Sequence, residues 1–316
     1  MNALEVRAWL ALAAAKGIGP KALWQLAGFL FSRGKPASWL LQNPEAIRDA
    51  LRSKRMNIVL PDPGSLNCEE GDVEGRERAT VLYPLHPRFP RRLADLKDRL
   101  PLPAILYARG DLSILGRPSI SIVGRRDAGD EALRLAGSLA SQIAAAGINV
   151  TSGYASGIDS AAHLGALRRG GTTTLVLAEG IGHFQARPEF RGLLTDGNAL
   201  VVSQFAPGEE WTAYRAMARN KLVAALSNAL VVIVSGPERD PRGKRSGTFD
   251  AAMSALKLGI PVFVTDPAFF SSPPEGNRGL IIKGGIAWSP DASPAPILEA
   301  VRAANGRKAP EQGRLF

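Results

Sequence analysis

Ile120-Ser121-Ile122-Val123-Gly124-Arg125-Arg126 is the stretch on which the fold turns: a short, largely β-branched run that stops at a glycine and two arginines. A helical run over Asp130–Ala146 follows, and a second apolar run, Ile148–Ser152, then ends at Gly153. The same alternation continues through strand candidates Thr173–Ala178, Leu200–Ser203, Leu230–Val234 and Val262–Thr265. Between them lie the helical stretches Ser160–Arg169, Thr212–Leu226 and Thr248–Leu258. Apolar strands of this kind, each followed by a segment long enough to cross over, predict a mostly parallel, doubly wound sheet covered on both faces. The expected fold class is therefore α/β, a Rossmann-like domain over residues 81–290 with its sheet beginning near Ala104.

Outward from that core, the first sixty residues read differently. Leu4, Leu10, Ala11 and Ala14, then Ala22, Leu23, Leu26 and Leu30, then Trp39, Leu40, Ile47 and Leu51 recur at helical spacing, so residues 1–60 are expected to form a small helical domain. Lys16-Gly17-Ile18-Gly19-Pro20 sits between the first two helices and reads either as a phosphate-cradling turn or as a tight helix–helix connection. Residues 61–80 are rich in Pro, Gly and acids and read as an acidic linker or loop. Residues 291–316 are expected to form a C-terminal helix and a flexible tail.

The chain of 316 residues is long enough for two or three domains. With 39 Lys and Arg against 29 Asp and Glu the formal charge is +10, which favours polyanionic partners. The single cysteine, Cys68, excludes an intramolecular disulfide and a multi-thiolate metal site. No apolar run reaches the ~18 residues of a membrane span, so a soluble, cytoplasmic protein is expected, with no membrane partner.

In a doubly wound sheet ligands bind beyond the carboxyl ends of the strands. Four candidate loops lie there. Gly124, Arg125 and Arg126 follow the first strand, where guanidiniums would meet the positive end of the next helix. Gly153-Tyr154-Ala155-Ser156-Gly157 follows the second, with Asp159 read as the cap of a helix beginning at Ser160. Arg219-Asn220-Lys221 lies in a helical stretch, and Lys244-Arg245-Ser246-Gly247-Thr248 opens the next helix as an anion site. If the loops converge, they build a positive groove several phosphates long, with Tyr154 or Phe249 available to stack on bases. The Gly-x-Gly-x-x-Gly spacing is absent after Val123, and Lys244 is followed by Arg245 rather than Ser or Thr. Neither a dinucleotide nor a P-loop site is indicated, and no cofactor is expected. His86, His163 and His183 lack ligand spacing, so no metal is expected; His163 reads as a helix histidine held by packing or a hydrogen bond.

Taken in order, Gly124-x-Arg126, Ser152-Gly153-x-Ala155-x-Gly157-Ile158-Asp159-x-x-Ala162-His163, Arg219-Asn220-Lys221-Leu222-Val223-Ala224-x-Leu226-Ser227, Ser246-Gly247-Thr248 and Gly276-Asn277-x-Gly279-Leu280-Ile281 resemble the DNA-processing protein A (DprA/Smf) family over about Leu82 to Trp288. The resemblance implies a sterile-alpha-motif or helix-hairpin-helix-like N-terminal domain and a homodimeric, non-enzymatic, single-stranded DNA binder. It also implies protection of DNA and its delivery to the recombinase RecA in natural transformation or recombination. Its DNA pocket would fall on Arg126, Gly153, Arg219, Asn220, Lys221, Ser246, Gly247 and Thr248. The chain departs from the family at Ser156, usually Arg, at Gln204, usually Glu, and at Ala251, usually Thr. It reads as a divergent member lacking the family's C-terminal winged helix. Gln312, Leu315 and Phe316 resemble a sliding-clamp-binding tail.

Two other readings draw on the same loops. Gly247-Thr248-Phe249-Asp250 is a truncated echo of a phosphoribohydrolase motif, with Ala251 where a second acid would be needed for acid–base work. A sensor domain binding a nucleotide signal, in phage defence for example, would use the same basic groups.

Overall fold

The computed structural model describes residues 3–52, 60–61 and 79–306. Most of the acidic segment and the tail residues Gln312, Leu315 and Phe316 therefore lie outside the described residues. By compactness the chain divides into two units at Ala108/Arg109, with residues 79–108 in the first.

The first unit contains α1 (Ala3–Ala14), α2 (Pro20–Arg33), α3 (Ala37–Gln42) and α4 (Pro44–Ala50), followed by β1 (Thr80–Leu82), α5 (Arg91–Leu96) and β2 (Leu106–Gly110), which crosses the boundary. Its helices pack through the apolar faces expected, with Trp9, Leu26, Leu30, Leu40 and Ile47 fully buried. Trp9 stacks on Tyr83 and Trp24 meets Phe89 edge-on, with its indole N–H donating to the Leu102 carbonyl at 3.1 Å. Pro20 opens α2 behind Gly19, and Gly17 adopts φ 90°, a left-handed turn that reverses the chain between two helices. β1 and β2 pair antiparallel, β2 lying where the sheet was expected to begin and β1, at three residues, too short to carry an alternating signature.

The second unit is the doubly wound sheet. Its strands are β3 (Ser119–Val123), β4 (Asn149–Gly153), β5 (Thr173–Val176), β6 (Ala199–Ser203), β7 (Ala229–Val232), β8 (Val262–Thr265) and β9 (Ile286–Trp288), in the order β6-β5-β4-β3-β7-β8-β9. Each neighbouring pair in that order is parallel. Helices α6 (Asp130–Ala145), α7 (Ile158–Arg168), α8 (Ala213–Ala225), α9 (Gly247–Leu258), α10 (Glu275–Ile282) and α11 (Ala295–Gly306) complete it. The six strands and four crossover helices expected fall within two residues of these bounds, while edge strand β9 is too short to read from pattern. Because β7 returns to the far side of β3, the winding reverses between β3 and β7 and opens a crevice at their carboxyl ends. The Arg125 N–H donates to the Val234 carbonyl at 3.1 Å across that reversal.

One face of the sheet is held by Ile120, Ile122, Val150 and Val231 against Ala136, Leu139, Ile143, Ala162 and Ala166 of α6 and α7. The interior is not all apolar. The buried Ser119 hydroxyl lies 2.7 Å from that of Thr151, and Asn149 Nδ2 donates to Ser119 Oγ and Thr174 Oγ1 at 3.1 and 3.0 Å. Such groups are tolerated in a core because they satisfy one another.

Helices α6 and α7 meet where both lack a side chain. A Cβ on Gly165 would lie 2.2 Å from the Gly137 carbonyl oxygen and 2.8 Å from its Cα, and two helix backbones cannot move aside cheaply. Gly165→Ala is expected to lower the stability of the chain by about 1–3 kcal/mol, the range for overpacking a tight core. Urea unfolding monitored by circular dichroism checks this, and an unchanged midpoint would refute the close approach.

Candidate nucleic-acid interface

The strand tips assemble around a buried ion pair. Gly153 ends β4, Asp159 stands in the first turn of α7, and Arg219 projects from α8. Asp159 Oδ2 and Arg219 Nη1 are 3.8 Å apart, with both side chains more than nine-tenths buried. Arg219 reaches that position only because residue 153 is glycine: a Cβ there would sit 1.6 Å from Arg219 Nη1. Burial pushes the Asp159 carboxyl up, against the pull of Arg219, and pushes the Arg219 guanidinium down, against the pull of Asp159. Arg219 Nε is buried without a hydrogen-bond partner.

This arrangement corrects the reading of Asp159 as a cap. Helix α7 begins at Ile158 with Gly157 as N-cap and no side-chain cap bond. Gly157 adopts φ 77°, and a Cβ there would lie 2.5 Å from the carbonyl oxygens of Arg125 and Arg126. Gly124 is equally constrained, since a Cβ would strike Ile158 at 2.5 Å. These glycines pack the β3 and β4 tips onto each other.

Around the pair lies an open cavity of about 470 Å³ lined by Arg126, Tyr154, Ser156, Glu179, Arg187, Trp211 and Arg219, among others. Arg126, Ser156 and Arg219 are thus brought together as expected. Arg187 carries no periodic signal in the sequence: it caps a 3-10 turn, Pro188–Phe190, only three residues long. Its guanidinium sits 4.1 Å over the Tyr154 ring, donates to Ser160 Oγ at 2.8 Å and to the Tyr154 carbonyl, and lies 3.9 Å from Glu189. Glu179 and Glu189 line the same cavity, so the expected all-cationic trough is a mixed site of guanidiniums and carboxylates.

Other expected groups go elsewhere. Arg125 turns away into an exposed pair with Asp127, whose carboxyl it holds down at about 2 through hydrogen bonds of 2.9 and 2.7 Å. The positive end of α6 already carries Asp130 and Glu131 in its first turn, which occupies that dipole with the protein's own charge. Successive helix residues are about 100° apart, so Arg219, Asn220 and Lys221 cannot share one cavity. Asn220 Nδ2 instead donates to the Gly247 carbonyl at 3.0 Å, and Lys221 joins Arg245 and Lys257 in pulling down on Asp250. Ser246 is the N-cap of α9, its hydroxyl accepting from the Phe249 N–H at 3.3 Å, and Thr248 is buried behind it. Lys244 lies on an exposed turn where its N–H donates to Asp240 Oδ1 at 2.9 Å. None of Asn220, Lys221, Lys244, Ser246 and Thr248 lines the cavity.

The stacking candidates also change. Phe249 is only 3% exposed, and the Tyr154 ring is packed against Phe184, Phe190 and Arg187. For the enzyme reading, Asp250 is pushed up by burial and Ala251 is buried with no carboxylate to offer. Asn277, read only as part of a motif, is a buried staple: its Oδ1 accepts from the Ser235 N–H at 2.8 Å and its Nδ2 donates to the Ile233 and Thr265 carbonyls. Among the described residues no three His, Cys, Asp or Glu side chains cluster as a metal site, and no helix is long and apolar enough to cross a membrane.

His163 supports the β4 tip from beneath. Its Nε2 is 2.7 Å from the Gly153 carbonyl, which can only accept, so Nε2 carries the proton and Nδ1 faces the Thr173 hydroxyl at 2.6 Å. Burial pushes its pKa down to about 4. The unfolded chain therefore binds a proton near pH 6.5 that the folded chain refuses until about pH 4, and stability is lost as pH falls through that interval. The loss attributable to this residue is about 3 kcal/mol. Denaturant unfolding between pH 7 and pH 4 is expected to show His163→Asn less stable at neutral pH but flatter with acid. Parallel pH profiles would refute the assignment.

Comparison with known proteins places the chain in a family. The family described as DNA recombination-mediator protein A matches residues 80–299. DNA processing protein DprA from Bacillus subtilis is 30% identical over 220 residues, covering 68% of this chain and 70% of that one. The fold is shared with DNA processing protein A from Streptococcus pneumoniae, at a TM-score of 0.69 and 21% identity over 95% of this chain and 98% of that one. It is shared also with DNA processing protein A from Helicobacter pylori, at 0.55 and 24% over 70% and 96%; that structure is described as showing a single-stranded DNA binding mode. The matched segments span 54–70% of the length of the curated relatives from S. pneumoniae, B. subtilis and Escherichia coli. With a family match over residues 80–299 and a relative 30% identical over two thirds of both chains, this chain belongs to the DprA/Smf family of DNA recombination-mediator proteins.

Proposed function

We propose that this protein is a non-enzymatic mediator that binds single-stranded DNA along the carboxyl edge of its sheet, protects it and delivers it to RecA during recombination or transformation, acting as a homodimer. The observation that carries the reading is Arg219. Among the described residues its guanidinium has an ion pair within 4 Å only with Asp159, at 3.8 Å, and it lines an open cavity together with Arg126 and Arg187. A phosphate there would supply the acceptors. Lys221, Arg245 and Lys244, outside the cavity lining, are the cations assigned to further phosphates of a strand longer than one nucleotide. The H. pylori relative's single-stranded DNA binding supports the same assignment.

Polyphosphate binding of this kind is salt-dependent, because each neutralised phosphate releases counterions. Arg126→Ala with Lys221→Ala is expected to weaken binding of an oligo(dT) at least tenfold and to lower the slope of log K against log salt by about 1.4, roughly 0.7 for each cation removed. Unchanged affinity and slope would reject the site. Competition by a panel of mono- and cyclic nucleotides at concentrations that displace the oligonucleotide would instead favour the sensor reading.

A further inference from the structure

Trp211 and Tyr214 are the large aromatic side chains left exposed in the second unit among its described residues, at 50% and 82%. Trp211 lines the cavity, and the Arg126 guanidinium lies 5.6 Å from its ring centroid. Tyr214 follows three residues later, in the first turn of α8, just past the Thr212 N-cap whose hydroxyl accepts from the Arg215 N–H at 3.1 Å.

The segment that carries Trp211 is held in place although its rings are not buried. Arg215 forms an ion pair with Glu209, donates to the Glu210 carbonyl at 2.6 Å and lies over the Phe205 ring. The Gly180 N–H donates to the Glu209 carbonyl at 2.7 Å and the Gly182 N–H to the Pro207 carbonyl at 3.1 Å. Gly180 approaches so closely that a Cβ would lie 2.0 Å from the Ala206 carbonyl oxygen. A fixed loop that sets the Trp211 face beside Arg126, with Tyr214 exposed in the helical turn that follows, has already met the ordering cost of a stacking platform.

We propose that Trp211 and Tyr214 stack on unpaired nucleobases while Arg126 holds the adjoining phosphate, and that this pair makes the site select single strands over duplex. In duplex the base faces are covered by their neighbours, so only an unpaired strand can offer them. The inference rests on the single-strand reading above.

The test compares binding of oligo(dT) with that of an abasic oligonucleotide of equal length, which keeps the phosphates and lacks the bases. Trp211→Ala is expected to weaken oligo(dT) binding roughly tenfold, Tyr214→Ala severalfold, and Trp211→Phe little, with abasic binding unchanged in all three. Equal oligo(dT) affinity in wild type and Trp211→Ala, or an equal loss on both oligonucleotides, overturns the platform. If the wild type binds neither oligonucleotide, the nucleic-acid reading fails first and the platform with it. If it binds the abasic strand as tightly as oligo(dT), the phosphate site stands and the platform falls.

Discussion

The buried pair of Arg219 and Asp159, seated on a glycine, is the constraint around which the candidate site is arranged. Taking a guanidinium and a carboxylate out of water is costly, and at 3.8 Å their attraction offsets that only in part. The arrangement also demands that residue 153 have no side chain. Three elements, the β4 tip, the α7 first turn and α8, therefore stand in a fixed relation. The pair also leaves Arg219 Nε buried without a hydrogen-bond partner, so it is weak evidence for stability.

From that pair the rest of the edge follows by close packing of backbone on backbone. Gly124 and Gly157 let the β3 loop lie against the start of α7, and Gly276 lets α10 approach within 1.9 Å of the Gly236 carbonyl oxygen at the position a Cβ would take. Asn277 then ties the β7 and β8 tips together through three hydrogen bonds from within the core. The result is a rigid rim at the point where the winding of the sheet reverses, the place where a doubly wound fold has room for a ligand.

Electrostatics at that rim are more mixed than the net charge of +10 suggests. Three guanidiniums share the cavity with Glu179 and Glu189, and several cations flanking it already have carboxylate partners, as Arg125 does with Asp127. Arg187 stacks on Tyr154 and Arg126 lies 5.6 Å from the Trp211 ring centroid, so two of the three guanidiniums sit near aromatic rings.

The alternation of β-branched runs with helical stretches made the parallel sheet, its strand tips and the loops after them legible in the linear chain, because hydrophobic periodicity is a local property. The glycines at 124, 153 and 157 were legible for the same reason, as was the histidine packed beneath the loop. What periodicity could not carry was direction. Arg219, Asn220 and Lys221 are adjacent in sequence yet diverge around a helix, Asp159 looked like a cap and proved to be a counter-ion, and Phe249 looked exposed and is core. Arg187 and Trp211 come from irregular segments whose position is set only by long-range contacts. Which side chains share a cavity depends on how separate elements pack, and that information exists only in three dimensions.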